Sequence, residues 1–200
     1  GTRGWVGGGA AGGETRRGRA AGSKPEGHVV SGVDTWRREV RLGMEEWIGQ
    51  LNLGLEEGGE VLADLARARD KTAPAVLRVN PDVDAGTHAK ISTGKAENKF
   101  GVAIDRAPAI FDRLAKRPGM NLRGVAIHIG SQLKTLAPLE AAYKRVGELV
   151  AQLRAAGHTI THVDLGGGLG VPYEPDDKVS TAEEFGAMVK RVTADWDVTL

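Results

Sequence analysis

Alternating strand and helix patterns predict an α/β fold built on a parallel sheet, and three observations carry the prediction. Short runs of Val, Ile and Leu alternate with helical stripes in the order β-α-β-α-β-α-β-α-β-α-β. Aromatic residues make up only 4% of the 200 residues, so the core is built from small and branched aliphatic side chains, which suits a parallel sheet covered by helices. In the two clearest strands, polar groups gather near the C-terminal end. Arg78 and Asn80 fall opposite Leu77 and Val79, and His128 falls opposite Val125, Ile127 and Ile129. An apolar face under helices and a polar face near the strand ends fit a partial (β/α)8 TIM-type barrel better than an open sheet that is apolar on both sides.

The elements follow in order. Residues 1–27 hold ten glycines and the cluster Arg16, Arg17, Arg19, with no strand or helix periodicity, and read as a Gly/Arg-rich leader ahead of a domain over 28–200. His28–Val33 is a short strand, and Thr35–Glu46 a helix capped by Asp34 or Thr35. Ile48–Leu53 is a strand and Leu55–Arg69 a helix, weakened by Gly58-Gly59. Ala75–Asn80 is a strand stopped by Pro81. A polar loop from Asp82 to about Asn98 is long enough to be functional. Val102–Lys116 is helical, with Pro108 marking either a kink or a new first turn. Leu122–Ile129 is a strand. Ala137–Ala156 is a helix whose Leu139, Ala142, Val146, Leu149, Val150 and Leu153 form one stripe, closed by Gly157. Thr159–Leu165 is a strand, Thr181–Ala194 a helix, and Val198–Leu200 the start of another strand.

The chain is 40% apolar and 26% charged with a net charge of +1, so nothing in its charge points to nucleic acid or an acidic membrane surface. It lacks cysteine, which excludes a disulfide framework and thiolate chemistry within these residues. No apolar run approaches the ~20 residues of a membrane helix, and a cytoplasmic location is the expectation. His158 and His162 are four apart but straddle a strand start, and no histidine spacing predicts a metal site.

The chemistry-bearing stretch is Val163-Asp164-Leu165-Gly166-Gly167-Gly168-Leu169-Gly170-Val171-Pro172-Tyr173. An apolar run ends in consecutive glycines, where backbone N–H groups converge on an anion without obstruction. It is not a dinucleotide fingerprint, because Val171 stands where the third glycine would be and Pro172 follows. Gly94-Lys95-Ala96 is not a P-loop. What remains is either a strand-ending phosphate loop or a bare turn. His128 closes its strand and is followed by Gly130 and Ser131, with Ser131 placed either to donate to a phosphate oxygen or to cap the turn. Arg78, on an inward face, needs an anion: a ligand, or Asp164.

Taken together, Asp82–Gly94 (Asp-Val-Asp-Ala-Gly-Thr-His-Ala-Lys-Ile-Ser-Thr-Gly), Asn98–Gly101, His128–Gln132 and Asp164–Gly170 closely resemble the diaminopimelate decarboxylases. The resemblance covers residues ~71–200. The His-Ile-Gly-Ser and triple-glycine segments are shared among the fold-type-III pyridoxal-phosphate decarboxylases, and the Gly86–Gly94 loop is specific to this member. Upstream, Gly12-Gly13-Glu14 and Ser31-Gly32-Val33 resemble the family more loosely, and Asn52-Leu53-Gly54-Leu55 departs from its Asn-Val-Glu-Ser strand end. The resemblance implies an alanine racemase-like barrel lacking its first and last strands. It further implies pyridoxal 5'-phosphate as cofactor, meso-diaminopimelate as substrate, L-lysine and carbon dioxide as products, and a homodimer. His128 would stack on the pyridine ring as the catalytic candidate. Gly166, Gly167, Gly168 and Ser131 would hold the phosphate, Arg78 would lie near the cofactor, and Lys99 near the dimer contact. The family's Schiff-base lysine would precede Gly1, its Glu-Pro-Gly-Arg segment and C-terminal β domain would follow Leu200, and Lys90, Lys95 and Lys99 do not match that lysine's strand. The expectation is therefore a fragment that is inactive alone. The alternatives are an ornithine or arginine decarboxylase of the same barrel, or a non-catalytic partner of an intact enzyme.

Overall fold

A computed structural model describes residues 29–31, 49–83, 101–174 and 176–200. The expected leader, the helix over Thr35–Glu46, most of the polar loop and Lys99 lie outside the described residues. The described elements are β1 (Val29–Ser31), β2 (Gln50–Leu53), α1 (Glu56–Arg67), β3 (Ala73–Asn80), β4 (Val102–Ala103), a 3-10 turn (Ile104–Arg106), α2 (Ala107–Ala115), β5 (Met120–Ile127), α3 (Ala137–Ala155), β6 (His162–Asp164) and α4 (Ala182–Val192). The strands form a six-stranded sheet in the order β1-β2-β3-β5-β6, with β4 pairing on β3. The pairings β1–β2, β2–β3, β3–β4 and β5–β6 are all parallel. The α/β class with a parallel sheet and alternating helices is the one the periodicity predicts.

The chain divides into two compact units, residues 1–77 with 109–123, and residues 78–108 with 124–200. In the first, Leu51 pairs with Ala75 and Leu53 with Leu77 in the β2–β3 register. Gly58-Gly59 does not interrupt α1. A Cβ at Gly59 would come within 2.6 Å of the Leu114 side chain, so the glycine lets α1 and α2 approach closely. Arg117 on the loop after α2 pairs with Glu60 of α1 at 2.8 Å, and Arg113 of α2 pairs with Glu56. These exposed ion pairs contribute under about 1 kcal/mol each.

In the second unit the expected stripe of α3 is fully buried, and Tyr143 is buried with it. The helix ends in a Schellman turn: the N–H of Gly157 donates to the Arg154 carbonyl at 2.9 Å and that of His158 to the Leu153 carbonyl at 3.0 Å, with Gly157 at φ +92°. Beyond it, the Arg154 guanidinium donates to the carbonyls of Ile160 and Trp196, each at 2.6 Å. Thr181 caps α4, accepting from the Glu184 N–H at 3.1 Å while the Glu184 carboxylate accepts from the Thr181 N–H at 2.8 Å.

Two expectations are corrected. Val102–Ala103 is a short strand paired with Val79 and Asn80 rather than the start of a helix, and Pro108 stands in the first turn of α2, where its missing N–H is harmless. Val198–Leu200 contributes one bridge, Thr199 to His162, rather than a strand. The inward polar face is covered as expected: Asn80 is as buried as Val79, and Ala126 nearly as buried as Val125. What separates the two faces is the polarity of the C-terminal strand ends, not access to solvent.

Candidate functional site

Two strand exits build the site, both in the second unit. β5 runs out at Ile127 into His128, which is half-buried, then Ile129 and Gly130, which are buried, and Ser131, which is exposed. β6 runs out at Asp164 into Leu165 and the three glycines. The parallel register sets Ala126 beside Asp164, so both loops leave the sheet at the same level. They are then zipped together: the Leu133 N–H donates to the Gly168 carbonyl at 2.8 Å, and the Gly170 N–H to the Leu133 carbonyl at 2.9 Å. The Gln132 side chain closes the clasp. Its oxygen accepts from the Val171 N–H at 3.0 Å, and its nitrogen donates to the Tyr173 hydroxyl at 2.8 Å.

The glycines have different reasons to be glycine. Gly166 has φ +68°, and a Cβ there would come within 2.3 Å of the Ile127 carbonyl oxygen and 3.2 Å of the His128 Cα. Gly168 has φ +106°, and a Cβ there would meet the Gly130 carbonyl oxygen at 2.0 Å. Both are left-handed and in direct backbone contact with the β5 exit, which no side chain permits. Gly167 lies between them, and among the described residues nothing comes within 4 Å of where its Cβ would be. The protein's own packing does not require that glycine, and its absent side chain keeps the turn open to an incoming group. An exposed glycine bend of this kind is the sort of turn a phosphate fits.

Electrostatics bring Arg78, His128 and Asp164 together. Burial is the main influence lowering the Arg78 guanidinium from its ordinary range, and the Asp164 charge opposes it. Burial also lowers the His128 imidazole below its ordinary 6.5; Arg78 lowers it further and Asp164 raises it. Burial thus favours the uncharged form of the ring. Asp164 is only 6% exposed, and its Oδ1 accepts from the Gly166 N–H at 2.8 Å. Ser131 is one residue beyond Gly130, whose carbonyl packs on Gly168, so its hydroxyl belongs to the same pair of loops.

Sequence reasoning assigned Asp164 only as the counter-charge of Arg78 and missed its grip on the glycine turn. The signal was an Asp two residues before a glycine at a strand end, the pattern of an Asx turn. The Gln132 clasp had no such signal, because Gln132 adopts φ +59° and its partners lie 39 and 41 residues away. Among the described residues, no group of His, Cys, Asp or Glu side chains is arranged to hold a metal, and no helix is long and apolar enough to cross a membrane.

Comparison with known proteins identifies the family. Residues 8–196 match the pyridoxal-binding domain of the pyridoxal-dependent decarboxylases, beginning inside the stretch expected to be a leader. The chain is 46% identical over 189 residues to a diaminopimelate decarboxylase of Zymomonas mobilis, covering 94% of this chain and 45% of that protein. It is 43% identical over 188 residues to that of Pseudomonas aeruginosa, covering 94% and 45%. The crystal structure of diaminopimelate decarboxylase from Helicobacter pylori, complexed with L-lysine, superposes with a TM-score of 0.89 at 32% identity, covering 95% of this chain and 48% of that one. The chain thus spans a little under half the length of these relatives. With the strand-end imidazole and the glycine turn both inside the matched segment, the chain belongs to the pyridoxal-dependent decarboxylase family and corresponds to its pyridoxal-binding domain.

Proposed function

We propose that this chain is the cofactor-binding part of a decarboxylase that converts meso-2,6-diaminopimelate to L-lysine and carbon dioxide, using pyridoxal 5'-phosphate. The observation that carries the reading is the close approach of the Gly166 turn to the Ile127–His128 backbone, which brings the glycine loop to the strand end that carries the imidazole. In this reading the glycine loop Gly166–Gly168 and the Ser131 hydroxyl hold the phosphate, with the Gly167 and Gly168 N–H groups donating while the Gly166 N–H stays on Asp164 and shapes the turn. The His128 ring lies against the pyridine, and Arg78 supplies a partly desolvated positive charge nearby. The cofactor, when bound, supplies an electron sink for the pair left as carbon dioxide departs. The protein orients the scissile C–C bond and excludes water, and a proton replaces the lost carboxylate. The names of the relatives and the lysine in the Helicobacter pylori structure support the substrate class. A cytoplasmic homodimer is part of the proposal. So is inactivity of the 200 residues alone, since Lys90, Lys95 and Lys99 do not match the strand of the family's Schiff-base lysine.

The experiment is a titration with pyridoxal 5'-phosphate, followed by absorbance and tryptophan fluorescence, on the wild type and Gly167→Asp. The open space at Gly167 accommodates the new side chain, while its charge repels the phosphate. A loss of affinity of about tenfold or more is expected; equal binding by both proteins overturns the assignment. Full-length protein releasing lysine from diaminopimelate, and not acting on ornithine or arginine, supports the substrate. The reverse preference overturns it.

A further inference from the structure

We propose that Asp164 is a positioning residue of this site: one buried carboxylate fixes the first turn of the glycine loop against the strand end that carries His128. The inference rests on the reading of that loop as a phosphate cradle.

Asp164 is the last residue of β6, and a buried carboxylate is retained only where hydrogen bonds and opposite charge compensate it. Its Oδ1 takes the Gly166 N–H at 2.8 Å. Gly166 is the residue lying on the Ile127 carbonyl and the His128 Cα, so any drift of this turn slides along the backbone that carries the imidazole. The same carboxylate is felt from three other elements. Arg78 of β3 and His128 beyond β5 are both favoured in their charged forms by it. Tyr143, buried on α3, is pushed up first by burial and then by Asp164. One carboxylate therefore holds its own loop by a hydrogen bond and acts electrostatically on a cation, an imidazole and a phenol, and its loss would leave the Arg78 charge less compensated.

Asn and Ala at this position separate the two roles. Asp164→Asn keeps an acceptor for the Gly166 N–H but removes the charge, and Asp164→Ala removes both. The His128 imidazole is followed by NMR titration, its resonance assigned by loss in His128→Asn. In Asp164→Asn the His128 titration should fall by about 0.5 pH units or more, because the influence favouring imidazolium is gone. A purely structural hydrogen-bonding role would leave that titration unmoved. Affinity for pyridoxal 5'-phosphate should fall about tenfold in Asp164→Asn and further in Asp164→Ala. An unchanged His128 titration in Asp164→Asn, or wild-type cofactor affinity in both variants, overturns the proposal. If Asp164→Ala fails to fold, Asp164→Asn decides alone. If wild-type protein binds no cofactor, the cradle reading fails, and the His128 titration still tests the reach of Asp164.

Discussion

Two turns in the second unit end regular elements on glycine, and they do so for different physical reasons. Gly157 closes α3. It is left-handed at φ +92°, but a Cβ there would touch nothing within 4 Å. Gly168 closes the β6 exit. It is left-handed at φ +106°, and its Cβ would lie 2.0 Å from the Gly130 carbonyl oxygen. The first glycine answers a local need of the backbone, and the second also answers a neighbouring chain segment. Local need is a property of the helix that ends there. Crowding by another loop shows that the loops from β5 and β6 are held together as one structure.

The largest effect expected from this difference is at Gly168. Gly168→Ala combines the left-handed strain with an overlap that only backbone movement can relieve, and should destabilise the protein by about 3 kcal/mol or more. Denaturant unfolding measures it. A loss under about 1 kcal/mol would mean that the loops from β5 and β6 part easily, and that the clasp through Leu133 and Gln132 does not hold them.

The contrast also explains what could be read before the structure. Gly157 was legible because a stripe from Leu139 to Leu153 has to stop, and a glycine four residues past its last member is a stop signal in itself. The parallel sheet was legible because alternating periods of 2 and 3.6 leave few topologies. His128 and the triple glycine were legible as strand-end residues. The pairing of their loops was not, since it depends on the β5–β6 register and on backbone contacts that leave no periodicity. Val102–Ala103 was misread for a related reason: two residues paired on the end of β3 carry no pattern that separates them from the helix that follows. Asn80, on the inward face, had no legible partner. Its side-chain nitrogen donates to the Gly101 carbonyl at 3.3 Å, 21 residues on.

A smaller effect belongs to the helix end. Gly157→Ala meets no atom and bears only the left-handed strain, about 1 kcal/mol. Its cofactor affinity should equal that of the wild type, measured in the same titration. If Gly157→Ala weakened binding as much as a change in the glycine loop, the two turns would be one cooperative unit and the distinction between them would disappear.

The smallest effect is the most local. The folded His128 sits below its ordinary 6.5, so the folded state binds its proton less readily than an open one. Its stabilising contribution is present above about pH 6.5 and is lost as pH falls toward the lowered folded value. His128 stands at the β5 exit and not at the helix end, so acid should loosen the two turns unequally. Hydrogen exchange of the Leu133 and Gly170 amides, which zip the two loops together, should lose protection below pH 6.5, by at most about tenfold per pH unit for one proton. The Gly157 and His158 amides of the Schellman turn should hold theirs after correction for intrinsic rates. In His128→Asn the pH dependence at Leu133 and Gly170 should vanish while their protection at pH 7 persists. Equal loss at both turns in the wild type would mean that acid opens the whole unit at once. Loss at Leu133 that survives in His128→Asn would assign the titration to another group.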